Sequence, residues 1–252
     1  MMTRRQFLFS LGAGALTFGT MAGQRPASRQ YFAWSQLRYP GNWDPNPRGA
    51  EKFLIELRKR TSIEPEPRRV LVEPGDAALF GQPFLYVTGR GGFPDLGASN
   101  AAWLRRYVEY GGFVLFDDAG GVEHSPFISG VERFLAAAFQ GEQPKPLPSD
   151  HTIYQSFYLI NRVPGRKVVR PVLTGMTREE LTPVVICHND LVGAYEGDPM
   201  GDYNYPCIPG GEEQREMTFR LGVNMVMYAL CDNYKKEQVH IPFILKRRQR
   251  RE

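Results

Sequence analysis

Apolar residues recur along this chain in two alternating rhythms. Three short runs carry no polar interruption: Phe84–Val87 (FLYV), Phe113–Phe116 (FVLF) and Val184–Cys187 (VVIC). Such runs have the composition of strands buried on both faces. Other stretches space their apolar residues three and four apart. Arg48–Arg60 has Phe53, Leu54 and Leu57; Ser99–Tyr110 has Trp103, Leu104, Tyr107 and Val108; Ile128–Phe139 has Phe134, Leu135 and Ala138; Glu212–Leu230 has a full apolar face. These predict helices with one face toward a core. Tyr31–Leu37, Val70–Val72, Ile153–Ile160 and Val168–Leu173 read as further strands. Val239–Leu245 reads as an edge strand, where Pro242 is tolerated. Gly111-Gly112 stops a helix, and the stretches 40–47 and 142–150, rich in Pro, are loops.

Strands alternating with helices predict an α/β fold: a flavodoxin-like three-layer sandwich with a mostly parallel sheet covered on both faces. Each uninterrupted apolar run gives way to polar residues. Val87 is followed by Thr88-Gly89-Arg90-Gly91, Phe116 by Asp117-Asp118-Ala119-Gly120, and Cys187 by His188-Asn189-Asp190. Open α/β sheets bind ligands outside the carboxyl ends of their strands. The functional surface is therefore expected at a rim formed by Arg38–Asp44, Thr88–Gly92, Asp117–Gly121, Asp150–Tyr154 and His188–Asp190.

The chain of 252 residues is 42% hydrophobic, enough to fill one sizeable core. Its first 22 residues change the picture. Arg4-Arg5-Gln6-Phe7-Leu8 precedes a Gly- and Ala-rich apolar run ending near Ala22, which is the pattern of a twin-arginine export signal. The run is too short for a spanning helix. Residues 1–22 are read as the signal, 23–30 as a polar, loose stretch, 30–245 as the domain and 246–252 as a basic tail. The net charge of +4 resides in those ends: +2 in residues 1–22 and +4 in 246–252, leaving about −2 for the body. That excludes nucleic acid as the main partner. The tail reads as solvated and disordered, with weak contact to an anionic membrane surface as the alternative. The expected location is periplasmic or secreted. Cys187, Cys207 and Cys231 show no C-x-x-C spacing. One pair could form a disulfide after export, and Cys231 is expected in the core.

Several stretches in order resemble domain-of-unknown-function family 4159, which is similar to class I glutamine amidotransferases. They are Leu37-Arg38-Tyr39, Phe84–Gly89, Tyr110–Phe113, Phe116-Asp117-Asp118, Asp150–Tyr154, Asn189-Asp190-Leu191 and His240–Leu245. The resemblance implies the fold and implies no activity. It also implies envelope protein partners, since some relatives are fused to membrane-anchored modules. The chain departs from the family at His188, where a small or hydroxyl residue is more usual, and at Tyr195, where Trp is common. Amidotransferases set a Cys nucleophile on a Gly-flanked elbow, and no G-x-C-x-G or G-x-S-x-G occurs here.

The candidate ligand-binding residues are Arg38, Tyr39, Thr88, Gly89, Asp117, Asp118, His151, His188, Asn189 and Asp190. The carboxylates could cap turns or face a ligand, and His151 could pack or act as acid/base. Trp34, Trp43 and Tyr39 flank the first loop and suit sugar stacking, with Trp34 better placed in the core. No metal site or cofactor is assigned. Two functions are expected in order: a non-catalytic binding domain of the envelope, or a hydrolase on a small or carbohydrate substrate using Asp118 and His151, with or without a metal. Geometry separates them, because the second needs a histidine within reach of Asp117 or Asp118.

Overall fold

The computed structural model describes residues 31–178 and 180–249, with side chains through residue 231. The export signal, the 23–30 connection and residues 250–252 lie outside the described residues. The elements in chain order are β1 (Ser35–Leu37), α1 (Gly49–Arg60), β2 (Val70–Val72), β3 (Phe84–Gly89), α2 (Gly97–Glu109), β4 (Phe113–Asp118), α3 (Pro126–Ala138), β5 (Lys145–Pro146), β6 (Thr174–Arg178), β7 (Leu181–Cys187) and α4 (Gly211–Gln249).

Among the described residues the strands form one sheet in the order β2-β1-β3-β4-β7-β6-β5. The first five run parallel, and β6 and β5 add antiparallel strands at the far edge. Counted among themselves, the parallel strands follow the 2-1-3-4-5 order of flavodoxin-type sheets. The three apolar runs are neighbours, as expected: Thr88 of β3 pairs with Asp117 of β4, which pairs with Cys187 of β7.

Successive side chains on a strand point to opposite faces, and the core divides accordingly. Phe84, Tyr86, Phe113, Leu115, Val185 and Cys187 pack with α1 and α4. Leu85, Val87, Val114, Phe116, Val184 and Ile186 pack with α2 and α3. This is why these three strands read as unbroken apolar runs: both faces are covered. Helix α2 stops at Gly111, whose φ of 99° lets its N–H and that of Gly112 turn back to Val108 and Tyr107.

Three sequence expectations are corrected. Ile153–Ile160 is not a strand: Thr152–Tyr154 is a 3₁₀ turn followed by turns and bends, with Asn224 Oδ1 accepting from the N–H groups of Phe157 and Tyr158. Val168–Leu173 is a loop, and the strand begins only at Thr174. Val239–Leu245 lies within α4, which runs 39 residues through Gln249, so residues 246–249 of the basic tail are helical too. The local pattern around Pro242 is compatible with an edge strand, but a helix already propagating adds one hydrogen bond for each residue it fixes. No helix among the described residues is long and apolar enough to cross a membrane.

Phe84 is fully buried between Trp34 and Phe113, with ring centroids 4.9 and 5.7 Å away. Phe84→Ala is expected to cost about 3–5 kcal/mol by denaturant unfolding. Val70→Ala, on the exposed sheet edge, should stay within about 0.5 kcal/mol. Equal effects at the two positions would contradict this account of the core.

Candidate functional site

The carboxyl edge of the parallel strands gathers most of the residues singled out by the sequence. Asp117 ends β4 on the face covered by α1 and α4, and it is fully buried. Its Oδ1 accepts from Leu191 N–H at 2.8 Å, and its Oδ2 accepts from Val192 N–H at 3.0 Å and Tyr86 Oη–H at 2.9 Å. The carboxylate thus fixes the start of the 3₁₀ turn Val192–Ala194. Burial and the charge of Asp190 push its pKa up to about 7.

Asp190 stands in the left-handed region at φ 54°. Its carboxylate pairs with Arg166 and accepts from Asn46 Nδ2 and Gly193 N–H, both at 3.1 Å. Burial raises its pKa to about 6, against the lowering effect of Arg166. Asn189 clips the loop 163–170. Its Oδ1 accepts from the N–H groups of Val169 and Arg170, both at 2.8 Å, and its Nδ2 donates to the carbonyls of Val163 and Arg170. The backbones approach so closely that a Cβ at Gly165 would strike Asn189. His188 is buried with Nε2 3.0 Å from Thr174 Oγ1, and burial together with Arg170 lowers its pKa to about 4.

The remaining candidates sit differently. Arg38 is exposed and pairs with Glu73. Tyr39 is buried, its hydroxyl donating to the Thr88 carbonyl at 2.8 Å, so it offers no face for sugar stacking. Gly89 is glycine because a Cβ would meet Tyr39 and the Phe127 ring. Trp34 is core, as expected, while Trp43 is half-buried beside Arg69. Thr88 Oγ1 donates to the Asp117 carbonyl. Asp118 is buried on the opposite face. Its Oδ1 accepts from Gly120 N–H at 3.0 Å, its Oδ2 has no hydrogen-bond partner, and burial raises its pKa.

His151 is not at this rim. Its Nε2 lies 2.8 Å from Thr182 Oγ1, near the start of β7. The rim begins five residues further on at Cys187, roughly 16 Å along a strand rising about 3.3 Å per residue. His151 and Asp118 therefore do not meet. The rim expected over Asp150–Tyr154 is corrected: Thr182 near the start of β7 holds His151, and Asn224 of α4 donates to the Ile153 carbonyl at 3.0 Å.

All three cysteines are unpaired. Cys187 is buried, with its thiol pushed well up by desolvation. Cys231, expected in the core, is exposed. Among the described residues no three His, Cys, Asp or Glu side chains converge as metal ligands.

Sequence reasoning missed Glu196, Asn46 and Arg166. Glu196 Oε2 accepts from Arg48 N–H at 2.9 Å and Gly49 N–H at 2.7 Å, capping α1 from across the chain. The helix N-terminus, a ready anion site, is thus filled by the protein's own carboxylate. Asn46 lies between two prolines, the one local signal that could have drawn notice. Two basic side chains reach toward solvent here: Arg90 is exposed, and Lys167 lies half-buried over Gly121.

Two predictions follow from this arrangement. Asn189→Ala leaves the buried N–H and C=O groups of the loop 163–170 without partners, each worth about 1–3 kcal/mol. It should lower Tm by many degrees, and a melting temperature within a few degrees of wild type would contradict the clip. The second concerns pH. His188, lowered to about 4, contributes stability that is complete above about 6.5 and lost as pH falls toward 4. Asp117, raised to about 7, works the other way, because the folded chain holds its proton more tightly and stability falls as pH rises from about 4 to 7. In thermal melts across this range, the wild-type advantage over His188→Gln should grow with pH, and that over Asp117→Asn should shrink. Parallel curves would contradict both assignments.

A search among curated proteins returns no match. The model of a domain of unknown function, DUF4159, matches residues 33–230, from just before β1 into α4. The chain belongs to this family.

Proposed function

We propose that this chain is an exported, non-catalytic domain of the cell envelope that binds a ligand or a protein partner through the carboxyl rim of its sheet. The carrying observation is that Asp117, Asp190, Asn189 and Cys187 are consumed internally. Asp117 and Asp190 are saturated by backbone and side-chain donors, Asn189 clips a loop, and Cys187 is a buried thiol far from ionisation. A catalytic centre needs a nucleophile or base in hydrogen-bond reach of its partner with room for a reacting atom. The hydrolase reading lacks that support, because Asp118 and His151 are anchored toward opposite ends of the sheet.

The 2-1-3-4-5 strand order and the missing nucleophile support an amidotransferase-like domain that has lost the chemistry, although a shared fold alone implies no shared function. The paired arginines and the apolar run of residues 1–22 support twin-arginine export and a periplasmic or secreted location. The basic segment 246–252 supports weak contact with an anionic membrane surface.

The test is photo-crosslinking in intact cells with a light-activated residue at position 90 or, as a control, at Arg105 on α2. The rim position should give a discrete adduct and the control should not. Reversing the charge of Lys167 should weaken that adduct severalfold while Tm stays within a few degrees. Equal labelling from both positions, or indifference to Lys167→Glu, would sink the rim as the binding surface.

A further inference from the structure

Away from the rim, a solvent-open cleft of about 550 Å³ lies at the antiparallel edge, between β5 with its flanking chain and β6. Its volume falls within the range of small-molecule sites. Leu147, buried, forms an apolar floor on the face that Thr177 shares, and Glu142, Lys145 and Thr177 stand around it. Arg178 Nη2 donates to Glu142 Oε1 at 2.8 Å, so that acid is neutralised and Lys145 leaves the cleft with one net positive charge.

A chain of hydrogen bonds ends in this cleft. Ile153 N–H donates to His151 Nδ1 at 3.2 Å, so in the neutral ring the hydrogen is on Nε2. Burial keeps the ring neutral by lowering its pKa. Nε2–H is directed at Thr182 Oγ1, 2.8 Å away, and Thr182 Oγ1 lies 2.8 Å from Thr177 Oγ1. Thr182 is fully buried, and among the described residues Thr177 Oγ1 is the side-chain oxygen placed to accept from its hydroxyl. Its hydrogen therefore goes to Thr177, whose own hydrogen is left for whatever occupies the cleft. His151, Thr182 and Thr177 thus set a hydroxyl donor in a cleft that Lys145 and Leu147 also line.

We propose that this cleft binds a small monocarboxylate with a short apolar chain, the carboxylate accepting from Thr177 Oγ1 and Lys145 Nζ and the chain lying on Leu147. The site stands independently of the rim. His151 acts as a positioning residue that sets the direction of the hydrogen-bond chain.

Hexanoate is the probe and hexanamide, of the same shape without the charge, is the control. In amide NMR spectra of the full chain, hexanoate should shift the Leu147, Gly175 and Thr177 signals saturably, with roughly millimolar affinity. Hexanamide should bind about tenfold more weakly. Thr177→Val and Lys145→Ala should each weaken hexanoate by about five- to tenfold, and Thr177→Ser should restore it. The His151 ring should show its hydrogen on Nε2 in nitrogen-correlated spectra. Absence of saturable shifts at these amides, equal binding of hexanamide, or undiminished binding by a folded Thr177→Val protein would each overturn the proposal.

Discussion

The buried carboxylate of Asp117 is the constraint on which the rim depends. A carboxylate taken out of water is tolerated when donors replace its hydration. Here the donors are two consecutive backbone N–H groups and a tyrosine hydroxyl. They come from the turn after β7 and from β3, so one side chain ties the exits of three adjacent strands. The second buried acid, Asp190, extends the tie through Arg166 and Asn46 to the loop 163–170 and to the entry of α1. Two carboxylates packed so closely each disfavour ionisation of the other.

The same logic explains why the rim is structurally full. In an open α/β sheet, helix N-termini at the carboxyl edge attract anions. In this protein Glu196 occupies the start of α1, and Asp117 occupies the start of the short turn after β7. Arg215 of α4, itself buried, reaches the Ala194 carbonyl and donates to the Tyr205 carbonyl at 2.8 Å, holding the far side of the same loop. Groups that in an enzyme would face a substrate are here directed at backbone.

Much of the fold was legible because burial on both faces leaves a direct mark. Phe84–Val87, Phe113–Phe116 and Val184–Cys187 read as central strands, since runs this short, bounded by polar and Gly residues, fit a strand buried on both faces better than a helix. The helices declared themselves by period, and Gly111-Gly112 by punctuation. The antiparallel edge left no comparable mark. Residues Thr174–Arg178 carry one large apolar side chain and a glycine, while Ile153–Ile160 carries more apolar residues and forms no strand. Partner strands and the Asn224 clip decided those segments, and neither is a local property.

The sequence by itself determined the fold class, the neighbours at the centre of the sheet and the place where polar residues gather, because alternating burial and chain direction are written in short-range pattern. Only the tertiary structure decided what those polar residues do. Whether a carboxylate faces a ligand or a backbone N–H depends on loops distant in sequence: Leu191 and Val192 for Asp117, Arg48 and Gly49 for Glu196. His151 and Asp118 looked equally available along the chain, yet Thr182 holds the first near the start of β7 and Gly120 N–H holds the second at the end of β4. Hydrogen-bond satisfaction in a buried site is a three-dimensional condition, and no spacing along one chain can express it.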